Sequence, residues 1–213
     1  MNSSPIRWGL RRQKVRMLNP ETLENTLCRA IENVRQASSD FDLNPDVVLP
    51  SGRVLKPAAV LIAVTTDGQL ILTKRSPDLK HHAGQIAFAG GRKDDTDRDL
   101  THTALREAQE EIGLDPASVR ILGDFPSHET VTNYAMTPIV GIVPSGLDFV
   151  MEPGEVSEVF TVPMSHVLNT ENYRVEGRQW RGQKRHYYTV PYGPYYIWGA
   201  TARILRSLAE GAR

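Results

Sequence analysis

The chain has little with which to cross-link, span a membrane or bind by bulk charge. Its single cysteine, Cys28, excludes an internal disulfide and cannot build a thiolate metal site by itself. The 25 lysines and arginines cancel the 25 aspartates and glutamates, so nothing overall favours nucleic acid or an anionic membrane. Any preference for a charged ligand must be local. The longest strongly apolar run, AAVLIAV at 58–64, is far too short to cross a bilayer. The first residues, MNSSPIRWGLRRQK, are basic but lack an apolar signal-peptide core, and the closing EGAR is no receptor-read address. A cytoplasmic protein is the expectation. Internal repeats and low-complexity tracts are also missing.

What is present is ordinary soluble composition, 40% apolar and 23% charged over 213 residues, enough for one sizeable domain. Residues 1–19 read as a basic arm. Leu23, Leu27, Ile31 and Val34 recur at helical spacing within 21–36, after Pro20 at a first-turn position. A Ser-, Asp-, Asn- and Pro-rich connector follows at 38–57. AAVLIAVT and QLILTK flank Thr66-Asp67-Gly68, a hairpin signal, and QIAF at 85–88 is a third strand. A helix covers 101–112, stopped by Gly113. Strands are expected at 119–125, 137–143 and 158–163, WRGQKRHYYTV reads as another hairpin, and IWGATARILRSLAE closes as an amphipathic helix. This order gives a mixed sheet covered by helices. Residues 1–54, comprising arm, helix and connector, are expected to pack on a domain at 55–213. The helix at 21–36 can equally pack on a second subunit, which leaves a homodimer open.

Within the helix at 101–112, REAQEEIGL places three glutamates within five residues. At about 100° per residue, Glu110 and Glu111 fall roughly 60° and 40° to either side of Glu107. Ala104, Leu105, Ala108 and Ile112 occupy the neighbouring arc, so a negative stripe borders the core. A solvated face with Arg106 paired to Glu110 would explain the residues singly. Against it, like charges at these spacings repel, and carboxylates near a helix C-terminus oppose the macrodipole. A hard divalent cation with oxygen ligands relieves both penalties. Gly90-Gly91 lies upstream, between a strand and this helix, where backbone can approach a phosphate or metal closely. It is not a phosphate-binding P-loop, because Lys93 is followed by Asp94-Asp95.

These residues resemble the box of the Nudix hydrolases, G-x5-E-x7-R-E-U-x-E-E-x-G-U, with U apolar. Arg106, Glu107, Ala108, Glu110, Glu111, Gly113 and Leu114 match its second half completely. Gly91 matches the leading glycine, whereas Asp97 replaces glutamate and eight residues rather than seven precede Arg106. The stretch LTKRSPDLKHHAGQIAFAGG is similar to the signature of the coenzyme A pyrophosphatase branch through Leu72, Thr73, Arg75, Ser76, Gly84, Phe88, Gly90 and Gly91. Lys80 stands there for arginine and Ala89 for proline. Similarity extends over roughly residues 55–208.

The resemblance implies an α/β/α sandwich with a mixed sheet, and Mg²⁺- or Mn²⁺-dependent hydrolysis of a small pyrophosphate. The implied substrate is coenzyme A or its thioesters, with another nucleoside diphosphate derivative (ADP-ribose, NADH or a nucleotide sugar) as the rival. Glu107, Glu110, Glu111 and the Gly91 carbonyl carry over as metal ligands. Arg75, Lys80, Gly90 and Gly91 carry over as substrate contacts, and Arg106 as an orienting residue. The base is expected from Glu155 or Glu158 in MEPGEVSEVF, with a box glutamate such as Glu111 as the rival and Glu107 beside it. Lys74, Arg75, Lys80, His81, His82, Arg92 and Lys93 supply a local positive field suited to the extra 3′-phosphate of coenzyme A. Neither nucleic acid nor membrane is expected as a partner.

Overall fold

The computed structural model describes residues 20–49, 51–180 and 182–213, so the basic arm at 1–19 lies outside the described residues. In chain order the elements are α1 (Pro20–Asn33), β1 (Ser38–Ser39), β2 (Lys56–Thr65), β3 (Gln69–Arg75), β4 (Ile86–Ala87), β5 (Ala89–Arg92), α2 (Leu100–Ile112), β6 (Arg120–Asp124), β7 (His128–Glu129), β8 (Tyr134–Val143), β9 (Val156–Pro163), α3 (Met164–Val167), β10 (Arg174–Trp180), β11 (Gln183–Thr189) and α4 (Gly199–Gly211).

The apolar run in β2 is unbroken because both its faces are covered. Ala59, Leu61 and Ala63 join Ala104, Ala108 and Ile112 of α2 in one apolar cluster. Val60, Ile62 and Val64 join Leu23, Leu27 and Ala30 of α1 and Ile204, Leu205 and Leu208 of α4 in the other. Period-two alternation along a strand thus splits the core into two layers around the sheet. The architecture is the expected α/β/α sandwich. Among the described residues the sheet has nine strands, with β2 and β8 parallel at its centre over Lys56–Thr65 and Tyr134–Val143. A separate antiparallel pair, β10–β11, packs against α4. No helix among the described residues is long and apolar enough to cross a membrane.

Three local expectations need correction. The β2–β3 turn forms, with Gly68 at φ 82° and its N–H bonded to Thr65 O at 2.8 Å. Beyond the turn the strands pair only at Val64–Leu70 and then splay, because β5 takes the edge of β2 at Ala58–Leu61. Gly90-Gly91 therefore lies within β5 rather than in a loop. The third short strand covers Ile86–Ala87 alone. The connector at 38–57 contains β1, which pairs in parallel with β7. Buried His128 shares a hydrogen bond with Ser38 Oγ at 2.9 Å through Nδ1 and donates to Asp40 Oδ1 at 3.1 Å through Nε2. Asn44 holds both backbone polar groups of His186 in β11, at 2.8 and 2.9 Å.

Candidate active site

The site forms where β5 runs beneath α2. A Cβ on Gly90 would collide with the Ala59 carbonyl and Val60 Cα, so only glycine lets β5 lie this close to β2. A Cβ on Gly91 would stand 2.5 Å from the Glu107 carboxylate, so the missing side chain leaves room for that group against the strand. The Gly90 N–H donates to Glu111 Oε2 at 3.2 Å. Asp99 caps α2 by accepting from His102 N–H at 2.7 Å, and Gly113 ends it in the left-handed region at φ 69°.

The three glutamates form a gradient across the helix rather than one uniform stripe. Glu111 is buried, Glu107 is half-buried, and the Glu110 side chain keeps 60% of its exposure at the rim. Burial pushes the Glu111 carboxyl up to about 8, opposed by the Gly90 N–H and Arg75 and reinforced by Glu107 and Glu155. Burial also raises Glu107, against the lowering influence of Arg106. Two carboxyls one helical turn apart, both shifted upward by burial, are what a site for a missing positive charge looks like.

Arg106 orients two of the three. It donates to Glu110 at 2.8 Å and stands 3.0 Å from Glu107 Oε1. Asp97 fixes Arg106 in turn, accepting from its Nε at 2.9 Å and its Nη2 at 3.0 Å. The Asp97 side chain is wholly buried and also accepts from Asp94 N–H, Thr103 Oγ1 and His102 Nδ1, each at 2.9 Å. The Arg106 guanidinium holds the Asp97 carboxyl far below the usual carboxylate range. Asp97 is one methylene shorter than the box glutamate, and the additional loop residue carries it to a bidentate contact. His102 and Thr103 belong to this network and had no sequence signal beyond their i−4 and i−3 spacing from Arg106.

Alternation separates the two candidate bases. Phe160 and Val162 of β9 belong to the α1–α4 layer, and Glu158 shares their parity and face. There it accepts from Tyr195 Oη at 2.5 Å, while the Tyr195 ring stacks on Phe160 at 3.6 Å. Glu155 instead lies near enough to Glu107 and Glu111 to raise both. Its segment is docked by main-chain bonds: Val150 N–H to Ile112 O at 3.1 Å, Glu152 N–H to Glu111 O at 2.9 Å, and Ser76 N–H to Glu155 O at 2.8 Å. The first two satisfy carbonyls that the end of α2 would otherwise leave open.

Among the substrate candidates, Arg75 reaches the cluster, with Nη1 4.0 Å from Glu111 Oε1. Lys80 stays exposed in the 76–85 loop with His81 and His82. The structure thus gathers Glu107, Glu111, Gly90, Gly91, Arg75, Arg106 and Glu155, leaves Glu110 at the rim, and does not bring Glu158 or Lys80 to them. No three acidic, histidine or cysteine side chains already converge at metal-ligand spacing among the described residues. The buried Glu111 and half-buried Glu107 beside the Gly91 cradle nevertheless fit a hard divalent ion with oxygen ligands.

Comparison with known proteins gives a consistent picture. The model of the NUDIX domain family matches residues 54–181. An uncharacterized Nudix hydrolase NudL of Klebsiella pneumoniae is 39% identical over 184 residues, spanning 80% of this chain and 96% of the relative. A protein of the same description from Escherichia fergusonii is 42% identical over 156 residues, 72% of this chain and 81% of its own. Among solved structures, a MutT protein from Methanosarcina mazei Go1 aligns with TM-score 0.45 and 22% identity over 56% of this chain and 84% of its own. A MutT/nudix family protein from Enterococcus faecalis aligns with TM-score 0.46 and 12% identity over 77% and 64%.

Proposed function

The chain belongs to the Nudix hydrolases, and from that premise we propose that it cleaves the pyrophosphate bond of coenzyme A and its thioesters. The products are 4′-phosphopantetheine, or its acyl form, and adenosine 3′,5′-bisphosphate. What supports this most is the placement of the stretch 72–91: the segment that resembles the coenzyme A branch delivers Arg75, Gly90 and Gly91 to the buried glutamates.

Each residue then has a task. Glu107 and Glu111, with the Gly91 carbonyl, are the ligands for Mg²⁺ or Mn²⁺, and Glu110 adds a carboxylate from the rim. Such an ion, when bound, would supply charge neutralisation on the pyrophosphate and lower the pKa of water. Arg106, locked by Asp97, sets the Glu107 carboxylate against β5. Arg75 contacts a phosphate oxygen. Glu155, exposed beside the glutamates, takes the proton from the water that attacks one phosphorus; the bridging P–O bond breaks, and the other phosphate leaves carrying the bridging oxygen. The exposed Lys80, His81 and His82 loop is the cationic surface offered to the 3′-phosphate.

The deciding experiment incubates the purified protein with coenzyme A and with 3′-dephospho-coenzyme A, with and without Mg²⁺ or Mn²⁺, and identifies products by mass. Metal-dependent release of adenosine 3′,5′-bisphosphate, with the dephospho form a poor substrate, is the expected result. Turnover of ADP-ribose, NADH or a nucleotide sugar in preference would move the substrate elsewhere within the family. Turnover without any divalent ion would remove the metal site.

A further inference from the structure

Arg75 is close to Glu111 yet makes little use of it. Its Nη1 stands 4.0 Å from Glu111 Oε1, beyond hydrogen-bond reach, and its Nε is buried with no acceptor. The other Glu111 oxygen is already engaged by the Gly90 N–H. A buried donor left unsatisfied is costly, so this position favours an added acceptor, and the guanidinium is exposed enough to reach one. The backbone holds it in place: Arg75 N–H bonds Gln85 O at 2.9 Å, and Arg75 O accepts from Gly84 N–H at 3.1 Å. At the end of β3 the pairing with β9 shifts between Lys74 and Arg75, with Ser157 of β9 as the additional residue.

Building on the proposed pyrophosphatase, we infer that Arg75 is an exchangeable cation shared between Glu111 and the substrate. It lies against Glu111 before a divalent cation enters, and passes to a substrate phosphate oxygen once the cation takes Glu111. The same guanidinium opposes metal binding when no phosphate is present and rewards it when one is. Metal and phosphate therefore bind with positive coupling, transmitted through one side chain.

The test is Mn²⁺ binding, followed by the electron-paramagnetic signal of free ion, with and without AMP as a phosphate probe. Arg75→Gln is expected to bind Mn²⁺ alone about tenfold more tightly than the unaltered protein, as loss of one partly solvated cation at this range predicts. Its affinity should then change little when AMP is added, whereas the unaltered protein should gain several-fold. Arg75→Lys keeps the charge and should restore the weaker Mn²⁺ affinity, but without the planar fork it should lose most of the AMP coupling. Equal or weaker Mn²⁺ binding by Arg75→Gln, or full AMP coupling in that variant, would overturn the exchange. Glu111→Gln runs alongside: if it binds Mn²⁺ as the unaltered protein does, the proposed metal site fails rather than the role of Arg75.

Discussion

Removing the charge at Glu111 should make the metal-free protein more stable at alkaline pH, not less. The carboxyl is buried at 3% exposure and its pKa is pushed up from 4.5 to about 8. Between those values the folded chain retains a proton that the unfolded chain has released, so stability declines as pH rises. The slope approaches 1.4 kcal/mol per pH unit, or about 3 kcal/mol from pH 5 to pH 7.5. Glu111→Gln carries no such proton, keeps the Gly90 bond and fills the same volume. In EDTA the variant and the unaltered protein should therefore match near pH 5 and diverge by about 3 kcal/mol near pH 8. For a chain of this size that is roughly 6–10 °C in Tm. Urea denaturation at half-unit steps from pH 5 to 8.5 reads it directly, and the difference between the two proteins cancels the titrating groups remote from Glu111. Mn²⁺ at pH 8 should close the gap by stabilising only the protein with Glu111. Parallel pH curves for the two proteins would refute the reasoning.

Other expectations concern neighbouring residues. Gly91→Ala places a methyl 2.5 Å from the Glu107 carboxylate and should cost about 100-fold in kcat through displacement of that group, with the far-ultraviolet spectrum unchanged. Glu155→Gln should lower kcat by about 10²–10³-fold and remove the acid limb of the pH profile, while Glu158→Gln, on the other face of the sheet, should stay within about threefold. Asp97→Asn leaves Arg106 with an uncharged partner and should destabilise the fold by about 3 kcal/mol, measured by urea denaturation. A fully stable Asp97→Asn protein would remove Asp97 from the support of the site.

Much of this was legible in residues 58–114, for a physical reason. Local signals there agree: the unbroken apolar run of β2, the turn at Gly68, the capped helix and the two glycines all specify the same layers. Burial of Glu111 was not legible, because helical arithmetic gives a shared arc but not where the core ends upon it. Glu155 and Glu158 looked equivalent in sequence. Only the pairing of β9 with β3 fixes the face of Glu158, and period-two parity then takes it away from α2. The β1–β7 and Asn44–His186 contacts join residues 90 and 142 positions apart, beyond the range of any local pattern. Asp97 was visible as a near-match, yet its five acceptor contacts depend on how one extra loop residue folds.

The main-chain bonds that dock the Glu155 segment have a mechanical consequence. Ser76 to Glu155, Glu155 to Glu152 and Glu152 to Glu111 form a continuous relay of peptide groups linking β3, the approach to β9 and α2. Amides carry that relay, so the side chains along it are spared from holding the assembly together. The separation between the segments bearing Glu111, Glu155 and Arg75 is therefore set by a strut indifferent to most substitutions within it. Lengthening the loop at exposed Ser145 and Gly146 should leave the strut intact. Inserting one residue between Glu152 and Glu155 would slide one jaw of the site past the other.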